Sequence, residues 1–320
     1  MDARRLSFVT SHKEAQKAQK SRASFCAFCA SLWPKSLLDR AAHHLLFLVQ
    51  SRPDLADRWG YHIRPIHYYE PIPDFRSITN EQITQRRTYP GIDFRWEQQL
   101  ALVGELAKYC DELCELEFDF DNDYFGGLDA ALYYALIRHL KPNRIVEIGG
   151  GFSTQLAAQA LAANRKGNLV CIEPYPERLN GSEPNVDLIQ KRVEEMNVDF
   201  FSSLEANDIL FIDSSHAVKF GSDVCYEFLQ LLPKLAPGVW IHVHDIFFPH
   251  DYPAEWLIER RTAWNEQYLL EAFLSFNEKF NVALANYWFC LDHANEAAGL
   301  WPKALSANYG ASSLWIRRIA

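Results

Sequence analysis

The sequence predicts an α/β protein with a doubly wound sheet, whose ligand site lies at the carboxyl ends of the strands. First, short apolar runs alternate with helical stretches from about residue 126 onward, as in parallel strands buried on both faces. Second, one run leads straight into three glycines and a Ser/Thr-rich helix start, RIVEIGGGFSTQ at 144–155, a turn that a ligand can approach closely. Third, acids and histidines directly follow later runs, and in a parallel sheet they meet at one edge.

Each element is predicted from its own pattern. Short continuous apolar runs predict strands at 145–148, 169–172, 208–212 and 239–243. Between these strands we predict helices over 154–163, 183–195 and 222–235. Apolar residues at helical spacing predict further helices over 25–59 with breaks at Pro34 and Pro53, over 94–116, over 126–142 up to Pro142, and over 260–276.

The chain of 320 residues is long enough for one large domain and a smaller extension. Residues 1–22 are charged and poor in large apolar side chains, which predicts a flexible N-terminus. We expect a mostly helical extension over 23–120 that forms part of a lid, and the sheet domain over 121–320.

Composition narrows the class of partner. The net charge is −9 and the 32 lysines and arginines are spread along the chain, so nucleic acid is not expected as a partner. A membrane is not expected either, because no apolar run approaches the ~20 residues that span a bilayer. The N-terminus has no apolar signal-peptide centre. We expect a cytoplasmic protein that acts on a small molecule, and a homo-oligomer stays open.

The cysteines carry no separate function in this interpretation. There are seven, an odd number, which argues against a disulfide framework. The pairs Cys26/Cys29 and Cys110/Cys114 lack the setting of zinc ligands and are interpreted as small buried side chains.

The glycine turn limits the choice of cofactor. A dinucleotide fingerprint has the form GxGxxG, and Thr154 stands where the third glycine would be. Glu147 directly precedes the glycines and would repel a diphosphate, whereas it suits a cationic ligand. Glu173 ends the second strand, where a carboxylate can accept both hydroxyls of a ribose. Together these residues predict S-adenosylmethionine and disfavour NAD.

Three motifs in the predicted order complete the pattern: VEIGGGFST at 146–154, CIEPYP at 171–176 and NDILFIDSSH at 207–216. From about residue 126 to 285 the chain resembles the class I S-adenosylmethionine-dependent methyltransferases, which have a Rossmann-like sheet. It resembles most closely a bacterial small-molecule group with FIDSSH and PGVWIHVHDI, found at 211–216 and 237–246. The resemblance implies that the methionine portion of the cofactor is held by Glu147, Gly149, Gly151 and Ser153. It also implies that Glu173 holds the ribose and that Val193 and Glu194 lie against the adenine.

The fourth and fifth predicted strands end at Asp213 and at His244 and Asp245, so catalysis is expected beside the cofactor. Asp213 is expected to take part in both catalysis and cofactor binding. Metal-assisted methyltransferases of the catechol type resemble this layout, which makes Asp213, His244 and Asp245 a candidate metal set. The imidazole favours Mn, Fe or Zn over Mg. The metal-free alternative makes His216 or His244 a general base that Asp213 or Asp245 orients. His242 is interpreted as a core histidine.

Aromatic side chains near the predicted rim are candidates for binding the acceptor: Tyr124, Phe125, Phe247 and Trp256. The expected reaction is methyl transfer from S-adenosylmethionine to an oxygen or nitrogen of a small metabolite. Two alternatives stay open. The fold also supports intramolecular attack on the aminopropyl arm of the cofactor, and a binding subunit would retain the fold without catalysis.

Overall fold

The structure, a computed structural model, describes residues 37–177, 179, 186–300 and 311–320. The predicted flexible N-terminus at 1–22, the Cys26/Cys29 pair and the helical prediction for 25–36 lie outside the described residues. The chain divides between Pro73 and Asp74 into two compact units. No helix in the described ranges has the length and apolar character to cross a membrane.

The first unit contains two described helices. Helix α1 covers Leu37–Gln50 and helix α2 covers Pro53–Arg58. Pro53 stands in the first turn of α2, where its missing N–H removes no helical hydrogen bond. The predicted break at Pro53 is therefore the start of a new helix.

The second unit carries the sheet and its surrounding helices. The helices are α3 Asn80–Thr84, α4 Trp96–Leu106, α5 Gly127–Leu140, α6 Phe152–Asn164, α7 Asp223–Tyr226, α8 Glu266–Leu274, α9 Asn286–Asp292 and α10 Ala294–Leu300. The strands are β1 Arg144–Ile148, β2 Asn168–Ile172, β3 Val186–Ile189, β4 Ile209–Ile212, β5 Trp240–Val243, β6 Phe280–Ala285 and β7 Leu314–Arg318. Helix α7 continues through a π-helical turn at Glu227–Leu231 and a 3₁₀ turn at Leu232–Lys234.

The strand order is β3-β2-β1-β4-β5-β7-β6. Strands β1 to β5 are parallel, and β7 is antiparallel to both of its neighbours. Ile148 at the end of β1 pairs with Ile172 and Ile212, and Ile212 pairs with Val243. The residues that directly follow these strands therefore lie along one edge of the sheet, which we call the carboxyl rim.

The four predicted strands are confirmed, and each begins within one residue of its predicted start. The helix predicted over 183–195 is wrong, because its described part holds β3 and then a 3₁₀ turn at Val193–Glu195. Residues of β3 pair in parallel with β2, and bonding to a neighbouring strand overrode a short helical pattern. Strands β6 and β7 are absent from the sequence-based prediction.

Different helices cover the two faces of the sheet. Alternate residues of β4 show this, since Ile209 and Phe211 join the apolar cluster formed with α5 and α6. Leu210 and Ile212 join the opposite cluster, which includes apolar residues of α7 and α8. The predicted helix over 94–116 gives way to 3₁₀ turns after Leu106. Cys114 lies in the last of these turns and is exposed, so its interpretation as a buried side chain is wrong.

Candidate active site

The turn after β1 requires glycine at position 149. Gly149 has φ +83°, and a Cβ there would overlap the carbonyl oxygen of Asp213. Its N–H donates to the carbonyl of Ile172 at 3.0 Å, while the N–H of Asp213 donates to the carbonyl of Ile148 at 2.9 Å. The turn thus draws the ends of β1, β2 and β4 together. Gly151, by contrast, has an extended φ of 170° and precedes α6.

Glu147 lies fully buried beneath this turn. The hydroxyl of Thr154 donates to Glu147 Oε2 at 2.6 Å and accepts the N–H of Gly151 at 3.0 Å. Thr154 therefore joins the acid to the glycine turn, which explains a threonine where a dinucleotide site has glycine. Burial raises the pKa of Glu147 to about 8, against hydrogen bonds from Ser153 and Thr154 that lower it.

Glu173 follows β2 and faces the same turn. Its Oε2 accepts the N–H of Gly150 at 3.2 Å, and its Oε1 accepts the N–H of Tyr175 at 2.7 Å. The carboxylate is therefore fixed in place beside the glycines. Val193 is buried, and Glu194 is half-buried in the 3₁₀ turn that comes after β3.

Beyond the turn, two carboxylates and an imidazole converge at the ends of β4 and β5. Ligand atoms of Asp213, His216 and Asp245 all lie within 4.8 Å of one another. His216 Nε2 is 3.2 Å from Asp213 Oδ1 and 3.5 Å from Asp245 Oδ2. Two of these residues have left-handed backbones, with φ of 56° at His216 and 58° at Asp245. Such strain in non-glycine residues is concentrated at functional sites.

Helix α8 holds His216 from the other side. Glu266 Oε2 lies 2.8 Å from His216 Nδ1, and both residues are buried. The carbonyl of His216 accepts the N–H groups of Asn265 and Glu266 at 3.1 and 3.3 Å. The ring also packs against Trp264, with centroids 4.5 Å apart. These contacts direct Nε2 toward Asp213 and Asp245.

His244 is a second imidazole beside the carboxylates of Asp213 and Asp245. Its Nδ1 lies 3.6 Å from Asp213 Oδ1 and 3.5 Å from Asp245 Oδ1, and its Nε2 lies 3.8 Å from Asp129 Oδ2. His244 was predicted from the sequence as a member of the metal set, whereas the set that the described residues bring together contains His216 in its place.

His242, two residues before His244 on β5, belongs to the core. It is fully buried, stacks on Phe211 with centroids 3.9 Å apart, and has Nε2 2.7 Å from the hydroxyl of Ser313. Burial lowers its pKa well below the usual value. The interpretation of His242 as a core histidine agrees with this position.

The carboxylates and the histidines of the site shift the pKa of one another toward their charged forms. Burial lowers the pKa of His244, but Asp245, Asp213 and Asp129 outweigh it and raise the pKa to about 9. Burial likewise disfavours charge on His216, yet Asp213 and Glu266 raise its pKa well above the usual value. Burial of Asp213 is outweighed by the two histidines, which hold its pKa well below its usual range.

The four candidate acceptor residues lie in different surroundings. Tyr124 is exposed and stacks on Phe152 with centroids 5.9 Å apart. Phe125 is buried with its ring centroid 5.4 Å from that of His244. Phe247 is buried, and half-buried Trp256 packs against it at 5.1 Å. Their role toward an acceptor stays a prediction.

Two buried acids in this region were not identified from the sequence as site residues. Glu266 lies on α8, in a stripe interpreted as core packing, and Asp129 lies in the first turn of α5. A carboxylate on the apolar face of a predicted helix is the signal by which they could have been found, since charged groups are rarely buried without a partner.

Comparison with known proteins places the chain in a family. Residues 146–246 match the family described as "Methyltransferase domain". An uncharacterized protein of Archaeoglobus fulgidus is 34% identical over 188 residues, which are 51% of this chain and 83% of that protein.

Solved structures of methyltransferases also align with the chain. The O-methyltransferase TomG of tomaymycin synthesis from Streptomyces achromogenes, in complex with S-adenosylmethionine, is 14% identical, with a TM-score of 0.40 over 68% of this chain and 89% of that one. The methyltransferase PaMTH1 of Podospora anserina, bound to S-adenosylhomocysteine, is 17% identical, with a TM-score of 0.41 over 68% and 88%. On the match of residues 146–246, the chain belongs to the class I S-adenosylmethionine-dependent methyltransferases.

Proposed function

We propose that this methyltransferase transfers the methyl group to a hydroxyl oxygen of a small metabolite, beside a divalent cation held by Asp213, His216 and Asp245. The observation that carries the proposal is the convergence of three ligand atoms within 4.8 Å. A cation at this point favours an oxygen acceptor over nitrogen, because hard cations bind and polarise oxygen.

The donor set fits a divalent transition metal. Two carboxylates and an imidazole suit Mn, Fe or Zn better than Mg. The contact of Glu266 with His216 Nδ1 leaves Nε2 for a cation, as in the carboxylate–histidine pairs behind many metal sites. When bound, the cation would lower the pKa of an acceptor hydroxyl and fix its position.

The residues at the glycine turn fit the cofactor, which supplies an activated methyl group. We assign its methionine portion to Glu147, Gly149, Gly151 and Ser153, as the family resemblance implies, and we add the adjacent Asp213. Glu173 would accept the ribose hydroxyls, with Val193 and Glu194 against the adenine. Support comes from the fixed carboxylate of Glu173, which lies next to the turn.

In this proposal the protein positions the acceptor and takes up its proton. When S-adenosylmethionine supplies the methyl group, the acceptor hydroxyl would lose its proton to His244 in its neutral form, which becomes populated as the pH rises toward the raised pKa of about 9. His244 suits this role because its Nδ1 faces Asp213 and Asp245. Alignment of the reacting atoms can contribute ~7–11 kcal/mol, and a base a further ~10²- to 10⁴-fold in rate.

The test is a Mn²⁺ titration followed by electron paramagnetic resonance. We expect wild-type protein to bind Mn²⁺ and His216→Gln to bind it at least ~10-fold more weakly. His139→Gln is the matched control, because His139 faces Glu105 at 3.5 Å near the end of α5. Equal Mn²⁺ binding by wild type and His216→Gln would refute the cation site. Release of methylthioadenosine in place of S-adenosylhomocysteine would refute methyl transfer as the reaction.

A further inference from the structure

The side chain of Gln267 is a fully buried amide that bridges two backbone groups of the loop after β5. Its Oε1 accepts the N–H of Phe247 at 2.6 Å, and its Nε2 donates to the carbonyl of His250 at 2.9 Å. The backbone N–H of Gln267 also donates to the hydroxyl of buried Tyr252 at 3.0 Å. Helix α8 therefore holds this loop at three points, and Asp245 stands two residues before the first of them.

The start of α8 also holds the other loop of the site, the one after β4. The side-chain oxygen of Asn265 accepts the N–H of Val218 at 2.6 Å, and Glu266 Oε2 lies 2.8 Å from His216 Nδ1. The same helix start therefore joins the loop that carries His216 to the loop that carries Asp245. Across this junction His216 Nε2 lies 3.5 Å from Asp245 Oδ2.

We propose that Gln267 is a positioning residue that fixes the loop after β5 relative to the loop after β4, so that Asp245 stays opposite His216. A carboxamide suits this role because it offers an acceptor to the Phe247 N–H and a donor to the His250 carbonyl. The backbone of Asp245 is left-handed, with φ of 58°, and such a conformation persists where the surrounding contacts maintain it. Gln267 reaches backbone groups of the loop, so it acts on Asp245 through its neighbours.

A purely architectural role, in which the amide merely satisfies buried backbone groups, is the competing explanation. Gln99 separates the two roles, because it makes the same kind of bridge from a different helix. It is 1% exposed, donates to the carbonyl of Phe94 and accepts the N–H of Ala285 at 2.9 Å. Gln267→Met and Gln99→Met therefore remove the same pair of hydrogen bonds from a buried amide, and the first of them removes the bonds to the loop after β5.

The first measurement is backbone hydrogen exchange followed by mass spectrometry, with a crystal structure of each variant. We expect exchange over residues 246–252 to become ~10-fold faster in Gln267→Met and to stay within ~2-fold of wild type in Gln99→Met. The distance of 3.5 Å between Asp245 Oδ2 and His216 Nε2 should lengthen in Gln267→Met and persist in the control. Gln267→Asn is a milder second variant, because its amide is one methylene shorter and falls short of the two backbone groups. These readouts are independent of a bound cation.

The second measurement rests on the proposed function and uses Mn²⁺ titration of the same variants. We expect Gln267→Met to weaken Mn²⁺ binding ~10-fold or more, and Gln99→Met to change it less than ~3-fold. If wild type binds no Mn²⁺, the proposed cation site fails, while the exchange rates and the crystal structures still decide the role of Gln267. An unchanged distance between Asp245 and His216 in folded Gln267→Met or Gln267→Asn would overturn the proposal. Equal loosening of the loop in Gln99→Met, or a Mn²⁺ affinity that wild type and Gln267→Met share, would also overturn it.

Discussion

Glu266 Oε2 lies 2.8 Å from His216 Nδ1, and this contact points the other ring nitrogen at Asp213 and Asp245. The two partners come from α8 and from the loop after β4. The histidine carbonyl is held by the N–H groups of the same helix start. Helix α8 thus fixes both the position and the rotation of the ring.

Glu266→Gln should weaken Mn²⁺ binding by ~10- to 100-fold, because it removes the charge that orients the ligating histidine. Glu271→Gln is the control on the same helix, since Glu271 pairs with Arg87 at 2.7 Å away from His216. Isothermal titration calorimetry with MnCl₂ measures both. Identical affinities for the two variants would show that Glu266 has only a packing role.

Gly149→Ala should destabilise the protein, because the added Cβ would overlap the Asp213 carbonyl and occupy a left-handed backbone position. The expected cost is on the order of 2–4 kcal/mol, seen as a fall of several degrees in Tm. Gly151→Ala is the matched control, since no atom lies within 4 Å of its added Cβ. Equal melting temperatures in calorimetric scans would contradict the assigned turn geometry.

Glu173→Gln should raise the Kd for S-adenosylhomocysteine by ~10- to 100-fold, as expected for loss of a charged acceptor of the ribose hydroxyls. Glu205→Gln makes the same change at an exposed position ahead of β4, at the opposite end of the strands. Titration calorimetry of both variants separates a local effect from a general loss of charge. Weakening by less than ~2-fold would rule out the ribose assignment.

Glu147 should make stability depend on pH. Burial raises the pKa of Glu147 from 4.5 to about 8, so the folded state binds a proton that the unfolded state has released across that window. The stabilisation is complete below pH ~4.5 and is lost as pH rises to ~8. From pH 5 to pH 9, the free energy of unfolding of Glu147→Gln should therefore rise relative to that of wild type by on the order of a few kcal/mol. Urea unfolding at both pH values measures this, and a constant difference would disprove the raised pKa.

The sequence by itself determined the central strands of the sheet and which residues lie at its carboxyl rim. Continuous apolar runs defined β1, β2, β4 and β5, because strands buried on both faces need unbroken apolar sequence. In parallel strands, that pattern also fixes which residues share an edge. The sequence alone therefore predicts that Glu147, Glu173, Asp213 and Asp245 belong to one site.

Only the tertiary structure decided how the side chains at that rim are partnered. Strand β3 and the antiparallel pair β6 and β7 form through contacts with distant strands, which a local pattern does not encode. His216 lies closer to Asp213 than His244 does, at 3.2 Å against 3.6 Å. The orientation of the His216 ring depends on Glu266, fifty residues further along the chain. Asp129 likewise reaches the site only because α5 packs beside the start of β7. Such contacts depend on side-chain direction and packing in three dimensions, and sequence spacing carries no record of either.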